Sequence, residues 1–228
     1  MNWVLNNLPL IGERTLDHLA IAVPAIIASF VLSVPIGWAA NRYRWSRGGV
    51  LAFSGLLYAI PSLPLFLALP AIIGTGLRDP LNVVIGLTLY GMALMVRATA
   101  DALASVDSHV EQSATAMGFS DWSRFWKVEL PLAGPVLLAG IRVVSVSTVS
   151  LTTVGAVLGI KSLGLFFTDG LQRNIPGEIY TGIVLTILIA VVFDGLLVLA
   201  GRLLMPWRHA VAPKTSGATA RAERVVTT

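Results

Sequence analysis

Residues able to do covalent chemistry are sparse in this chain. It has no cysteine, so thiol nucleophiles, thiolate metal sites and disulfides are excluded. Its three histidines, His18, His109 and His209, lie far apart, and their spacing matches no metal-ligand set. There is no Ser/His/Asp arrangement and no Gly-rich phosphate loop carrying a lysine. Catalysis and nucleotide hydrolysis are therefore not expected of this chain, and no cofactor or metal is expected in it. What remains is non-covalent: surfaces that dock, and polar side chains placed where water is scarce.

The densest group of such residues is Asp107 to Pro131, the longest polar interval between two apolar segments. Ser108 and Glu111 have capping-box spacing, which predicts a helix start. Gly118 interrupts the helical run where a sharp turn is easy. Ser120 and Asp121 can open a second short helix, with negative charge at its positive end. Trp122, Phe125 and Trp126 give that helix an apolar stripe, and Leu130-Pro131 is expected to end the unit and begin the next apolar segment. Ala114, Met117, Phe119, Trp122 and Phe125 form an amphipathic patch suited to a hydrophobic groove on another protein. The alternatives are that the patch lies on a membrane surface or packs back on its own chain. Glu111 reads either as the capping partner of Ser108 or as a direct contact to that other protein.

The elements that must hold this unit are set by hydropathy. Apolar residues make up 55% of the 228 and charged residues 12%, with a mean hydropathy of +0.79. Soluble domains carry about 25% charged residues, so the solvent expected here is lipid. Five runs reach the roughly 20 residues that a helix needs to cross a bilayer: Leu19–Ala40, Gly48–Leu77, Pro80–Ala104, Pro131–Ile160 and Ile179–Gly201. Pro61, Pro64 and Pro70 predict that the second is bent or broken, and Pro61 and Pro64 are candidates for a gate or a simple kink. Five spans put the termini on opposite sides. Twelve of the sixteen Lys and Arg fall on the side of the 42–47 loop, the 107–131 unit and the tail, and four on the other. The positive-inside rule then predicts an external N-terminus, a cytoplasmic C-terminus and a cytoplasmic 107–131 unit. The net charge of +4 follows membrane topology and does not point to nucleic acid.

The 107–131 unit resembles the EAA loop of ABC importer permeases, a Glu-Ala-Ala segment followed by Gly and an Ile-x-x-x-Leu-Pro ending. Here it stands as Glu111-Gln112-Ser113, Gly118 and Val128-Glu129-Leu130-Pro131. Gln112 and Ser113 replace two alanines, and one more residue precedes the glycine. Thr15-Leu16-Asp17-His18-Leu19, Val34-Pro35-Ile36-Gly37, Ile60-Pro61-Ser62-Leu63-Pro64 and Ala139-Gly140-Ile141-Arg142 also look like this family. Over residues 13–203 the chain is most similar to its osmoprotectant branch, the permeases for glycine betaine, carnitine, choline or proline betaine. The resemblance implies an all-α type I importer (MetI-like) fold in the prokaryotic cytoplasmic membrane. It also implies a second permease subunit, a cytoplasmic ABC ATPase that binds ATP and Mg, and an extracytoplasmic solute-binding protein. The loop would be the coupling helix. A permease for methionine or another amino acid is the alternative within the family; a standalone channel or membrane enzyme is the alternative outside it.

The domain reading that follows is an external segment 1–17, a permease domain 18–205 with its coupling loop at 105–131, and a disordered tail 206–228. In the fourth span Ser145, Thr148 and Thr152, with Gly155 and Gly159, share one small, polar helical face. That face either lines a solute path or packs against a neighbouring helix. Asp194 is expected as an interfacial carboxylate or structural pair near the cytoplasmic end, with Arg202 two turns on. Arg142 is expected as an anchor near the start of the fourth span.

Overall fold

A computed structural model describes residues 2–209, all helical or in short connections. A short α1 (Asn2–Asn6) precedes α2 (Leu8–Arg42), α3 (Arg44–Ala59), α4 (Ser62–Ile73) and α5 (Pro80–Ala104). Then come α6 (Ser108–Ala116), α7 (Asp121–Arg124), a π turn (Phe125–Glu129) and α8 (Leu130–Thr152), which runs on as a 3-10 turn to Leu158. The chain closes with α9 (Leu165–Gln172) and α10 (Pro176–Leu204). Among the described residues four helical stretches are long and apolar enough to cross a membrane, and α3 with α4 makes a fifth if the bent pair is one span. The five-span, all-α expectation stands.

The core is the packing of α2, α5 and α8, and small residues make it possible. Along α2, Ala22, Ala25, Ser29, Ser33 and Gly37 are buried at helical spacing, which lets another backbone approach closely. Gly91 of α5 sits where a Cβ would collide with the Ser29 hydroxyl and come within 3.1 Å of Val144 on α8. A Cβ on Gly140 of α8 would lie 2.7 Å from that of Ala98 on α5. The Ser29 hydroxyl shares its single proton between the carbonyls of Ala25 on its own helix (2.7 Å) and Thr88 on α5 (3.2 Å), so the buried donor is satisfied at the α2–α5 contact.

The second span is bent by 102° between α3 and α4. Pro61 forces Ile60 into an extended conformation (ψ 127°) and is itself extended (ψ 139°). Pro64 has no N–H to give the Ile60 carbonyl, the bond that a continuing helix would make. The Tyr90 hydroxyl of α5 donates to that carbonyl instead. Pro61 and Pro64 therefore build the corner jointly. Beyond it Phe66 of α4 is fully buried over Gly86, where a Cβ would lie 2.5 Å from the ring.

Several boundaries differ from the sequence reading. α2 begins at Leu8 and passes residue 17 without a break, so the first span continues an already helical segment. The polar-apolar 161–177 interval reads from the sequence as a short surface helix; a helix is there, α9, but its Phe166 is buried, edge-on against Trp3 at 5.6 Å. Of the tail, Pro206–His209 forms a 3-10 turn; residues 210–228 lie outside the described residues.

Candidate functional site

The 107–131 unit is a folded elbow with two helical arms. Asp107 caps α6, its carboxylate accepting from the His109 N–H at 2.8 Å. Ser108 is thus the first helical residue, and Glu111 is one position too far along to reach back to the cap. The predicted box is replaced by a single Asp cap. At the far end the Phe119 N–H bonds the Ala114 carbonyl and the Gly118 N–H the Thr115 carbonyl. Gly118 adopts φ +86°. This is the Schellman stop that a glycine provides. Ser120 caps α7 as expected, accepting from the Ser123 N–H at 3.3 Å.

From Asp121 the chain does not stop at Leu130-Pro131. α7, the π turn and α8 form one helical stretch to Leu158, 38 residues long. Pro131 lacks the N–H that would bond the Lys127 carbonyl, and its ring crowds that turn. The π turn just before it, in which the Leu130 N–H reaches the Phe125 carbonyl, absorbs the mismatch. The elbow is therefore fused to the membrane helix instead of being hinged to it.

The predicted docking patch divides. Ala114 (1% exposed) and Phe125 (3%) face their own chain. Phe125 packs 5.5 Å from Trp38 of α2 and 5.1 Å from Trp126. Met117 (71%) and Trp122 (64%) are open, Trp126 is half open and Phe119 half-buried. The free apolar surface is the tip around Gly118 and the outer edge of α7.

Charge braces the elbow from within, around Arg124, which the sequence reading did not single out. Arg124 donates through Nε to Glu129 (2.6 Å) and through its terminal nitrogen to the Thr115 hydroxyl (2.9 Å). Its other terminal nitrogen lies 3.3 Å from Asp121. Asp121 also accepts from Arg42 at the end of α2, at 2.6 Å. The hydrogen bond to Glu129 raises the Arg124 guanidinium pKa. Glu111 lines an open cleft with Asn41, Arg47, Leu103 and Ser108. Burial pushes its carboxyl up and the Glu129 charge adds to this, while Arg124 and Arg42 oppose it. Asp121–Arg124 was legible as an i,i+3 pair. Arg124–Glu129 was not, because a spacing of five falls on one face only where the helix has a π turn.

In the spans, Ser145, Thr148 and Thr152 are buried within the chain at 0–3% exposure, and the Thr152 hydroxyl bonds back to the Thr148 carbonyl at 2.8 Å. This is the packed side of α8. The open side carries Val136, Ala139, Val143, Val146 and Ser150. Arg142 was expected as an interfacial anchor, and Asp194 as an interfacial carboxylate or a structural pair with Arg202 nearby. They form a two-pronged pair, Nε to Oδ1 at 2.6 Å and NH2 to Oδ2 at 2.7 Å. Asp194 has Arg142 as its partner, not Arg202. Arg142 stands about 18 Å along its helix from Leu130, and Asp194 about 15 Å along its helix from Leu204. Two isolated opposite charges in apolar helices were the signal for this pairing. Among the described residues no group of three His, Asp or Glu is disposed to hold a metal ion.

Residues 29–208 match the family described as binding-protein-dependent transport system inner membrane component. The chain is 31% identical over 200 residues to the osmoprotectant import permease protein OsmW of Salmonella typhimurium, covering 86% of this chain and 93% of that one. It is 26% identical over 193 residues to the glycine betaine/carnitine/choline transport system permease protein OpuCB of Bacillus subtilis, covering 85% and 88%. In fold it superposes on a chain of the inward-facing MetNI methionine ABC transporter with a TM-score of 0.72, at 21% identity, over 87% of this chain and 96% of that one. An all-helical chain of up to five spans, with a capped elbow fused to one of them, thus belongs to the family of binding-protein-dependent transport system inner membrane components, as an ABC importer permease of the osmoprotectant type.

Proposed function

We propose that this permease pairs with a second permease subunit around a path for quaternary ammonium solutes such as glycine betaine, carnitine and choline, the solutes for which OpuCB is named. An external binding protein delivers the solute. The N-terminus lies outside and the elbow in the cytoplasm, where it seats in a groove of an ABC ATPase that binds ATP and Mg. The observation that carries this reading is the elbow: an exposed Met117/Trp122 tip, a Gly-stopped turn and an internal Arg124 brace, fused to a membrane helix. A docking element that transmits force needs this rigidity. Ala114, Phe119 and Phe125 support the tip from beneath, and Glu111 offers it a carboxylate.

Gly118 tests the reading. No atom lies within 4 Å of a Cβ placed there, so a substitution acts only through the left-handed backbone. Gly118→Val is expected to cost about 1–2 kcal/mol locally and to abolish solute-stimulated ATP hydrolysis and co-purification of the ATPase. Gly118→Asn, which tolerates this conformation, should keep both. Wild-type coupling in Gly118→Val would sink the docking role.

Glu111 gives a second readout. Its raised pKa means that the folded elbow favours the protonated form, so ionisation destabilises it as pH rises through the carboxylate range. Glu111→Gln should leave thermal stability at neutral pH equal or higher. If the carboxylate meets a cation on the ATPase, the same variant lowers coupled ATPase activity. Unchanged coupling would remove Glu111 from the contact.

A further inference from the structure

Asp194 sits about 6 Å along the axis from the middle of α10, well inside a hydrocarbon layer about 30 Å thick. Charge at that depth is expensive and calls for a partner and a reason. Arg142 is the partner, but the pair is not sealed in the bundle: 40% and 34% of the two side-chain surfaces remain open. Two of the five guanidinium N–H donors are used on Asp194, leaving three. Against lipid those three would have no acceptor.

The surface beside the pair differs between its two helices. The open side of α10 is bulky and aliphatic, with Ile187, Leu188, Val191, Val192, Leu196 and Leu199. This is a face made for lipid. The open side of α8, flanked by Arg142, carries the smaller Ala139, Val143, Val146 and Ser150. It is a smooth wall with a charged station at mid-depth.

Resting on the betaine reading above, we propose that this α8 face walls the solute path and that Arg142–Asp194 is a transit site for zwitterions that carry a carboxylate. The spare Arg142 donors take the carboxylate. Asp194, a third of whose side chain is open beside Arg142, faces the quaternary ammonium. A solute with the cation alone, such as choline, uses only half of the site.

The test uses the importer reconstituted with its ATPase and binding protein, and compares ATP-driven uptake of glycine betaine and of choline. Arg142→Met with Asp194→Leu removes both charges and leaves no orphan in the membrane. Glycine betaine uptake should then fall about tenfold, the scale of a lost charge-assisted hydrogen bond, with a much smaller fall for choline. The absence of cysteine from this chain makes an introduced cysteine the single labelling site within it. Val143→Cys should react with a membrane-impermeant cationic methanethiosulfonate and be protected by glycine betaine, whereas Val191→Cys should not react. The proposal is overturned if the double variant imports both solutes at the wild-type rate. It is equally overturned if Val143→Cys is as inert as Val191→Cys, or if it disulfide-links two copies while remaining unlabelled. If the wild type imports neither solute, the osmoprotectant reading itself fails, and the labelling pattern still reports whether the α8 face is wet.

Discussion

Arg124→Ala should unmake the elbow. Arg124 is the common partner of Glu129, Thr115 and Asp121, and with Glu129 it is nearly sealed, at 11% and 7% side-chain exposure. Removing the guanidinium leaves a buried carboxylate without a counter-charge, a change that costs about 3–5 kcal/mol. It also frees Asp121, which then holds only Arg42 of α2. We expect a large drop in the melting temperature of the purified importer and loss of solute-stimulated ATP hydrolysis. Arg124→Met combined with Glu129→Met tests the cause. With both charges gone no orphan remains, and much of the stability should return. A single Arg124→Ala variant that melts and hydrolyses ATP like the wild type would show that the brace is ornamental.

Gly91→Val should prevent assembly of the membrane core. A Cβ at this position would collide with the Ser29 hydroxyl, with the Ser29 Cβ at 2.6 Å and a Val144 methyl at 3.1 Å. Three helices meet there, so none can withdraw without opening a contact with another. Overpacking of this kind costs about 1–3 kcal/mol and at times more. The readout is the yield of monodisperse complex in detergent and its melting temperature. Gly195→Val on α10, where nothing lies within 4 Å of the new Cβ, should be near neutral in the same assay. Exchanging sizes across the contact, Gly91→Ala with Ser29→Gly, should recover more stability than Gly91→Ala alone. Equal stability of those two variants would mean that the close approach is not what holds α2 on α5.

The spans were legible because hydrocarbon imposes length and apolarity on each helix separately. Pro80–Ala104 is found where the sequence puts it, and the proline-rich second span is bent. The elbow was legible in its stops, since Gly118 and Ser120 act through local backbone chemistry. Its start was misread by one residue because Asp107 and Ser108 are both competent caps. Which face meets which neighbour was not legible. Ser145, Thr148 and Thr152 have the same spacing whether they line water or pack, and here they pack. Phe125 and Ala114 look like docking residues until Trp38, 87 positions from Phe125 in the sequence, closes over that ring. The Arg142–Asp194 pair joins residues 52 apart, a match that periodicity within one helix does not contain.

The unbroken stretch from Asp121 to Leu158 has a mechanical consequence. One of its close crossings is at Val144, a methyl of which would lie 3.1 Å from a Cβ placed on Gly91 of α5. If that crossing acts as a fulcrum, the arm to Asp121 is about 34 Å and the arm to Leu158 about 21 Å. Travel is then traded for force: a 5 Å swing imposed on the elbow shrinks to ~3 Å at the opposite end, with thrust multiplied by about 1.6, as follows from the rise per residue. Such a beam turns a long, weak push at one end into a short, strong stroke at the other.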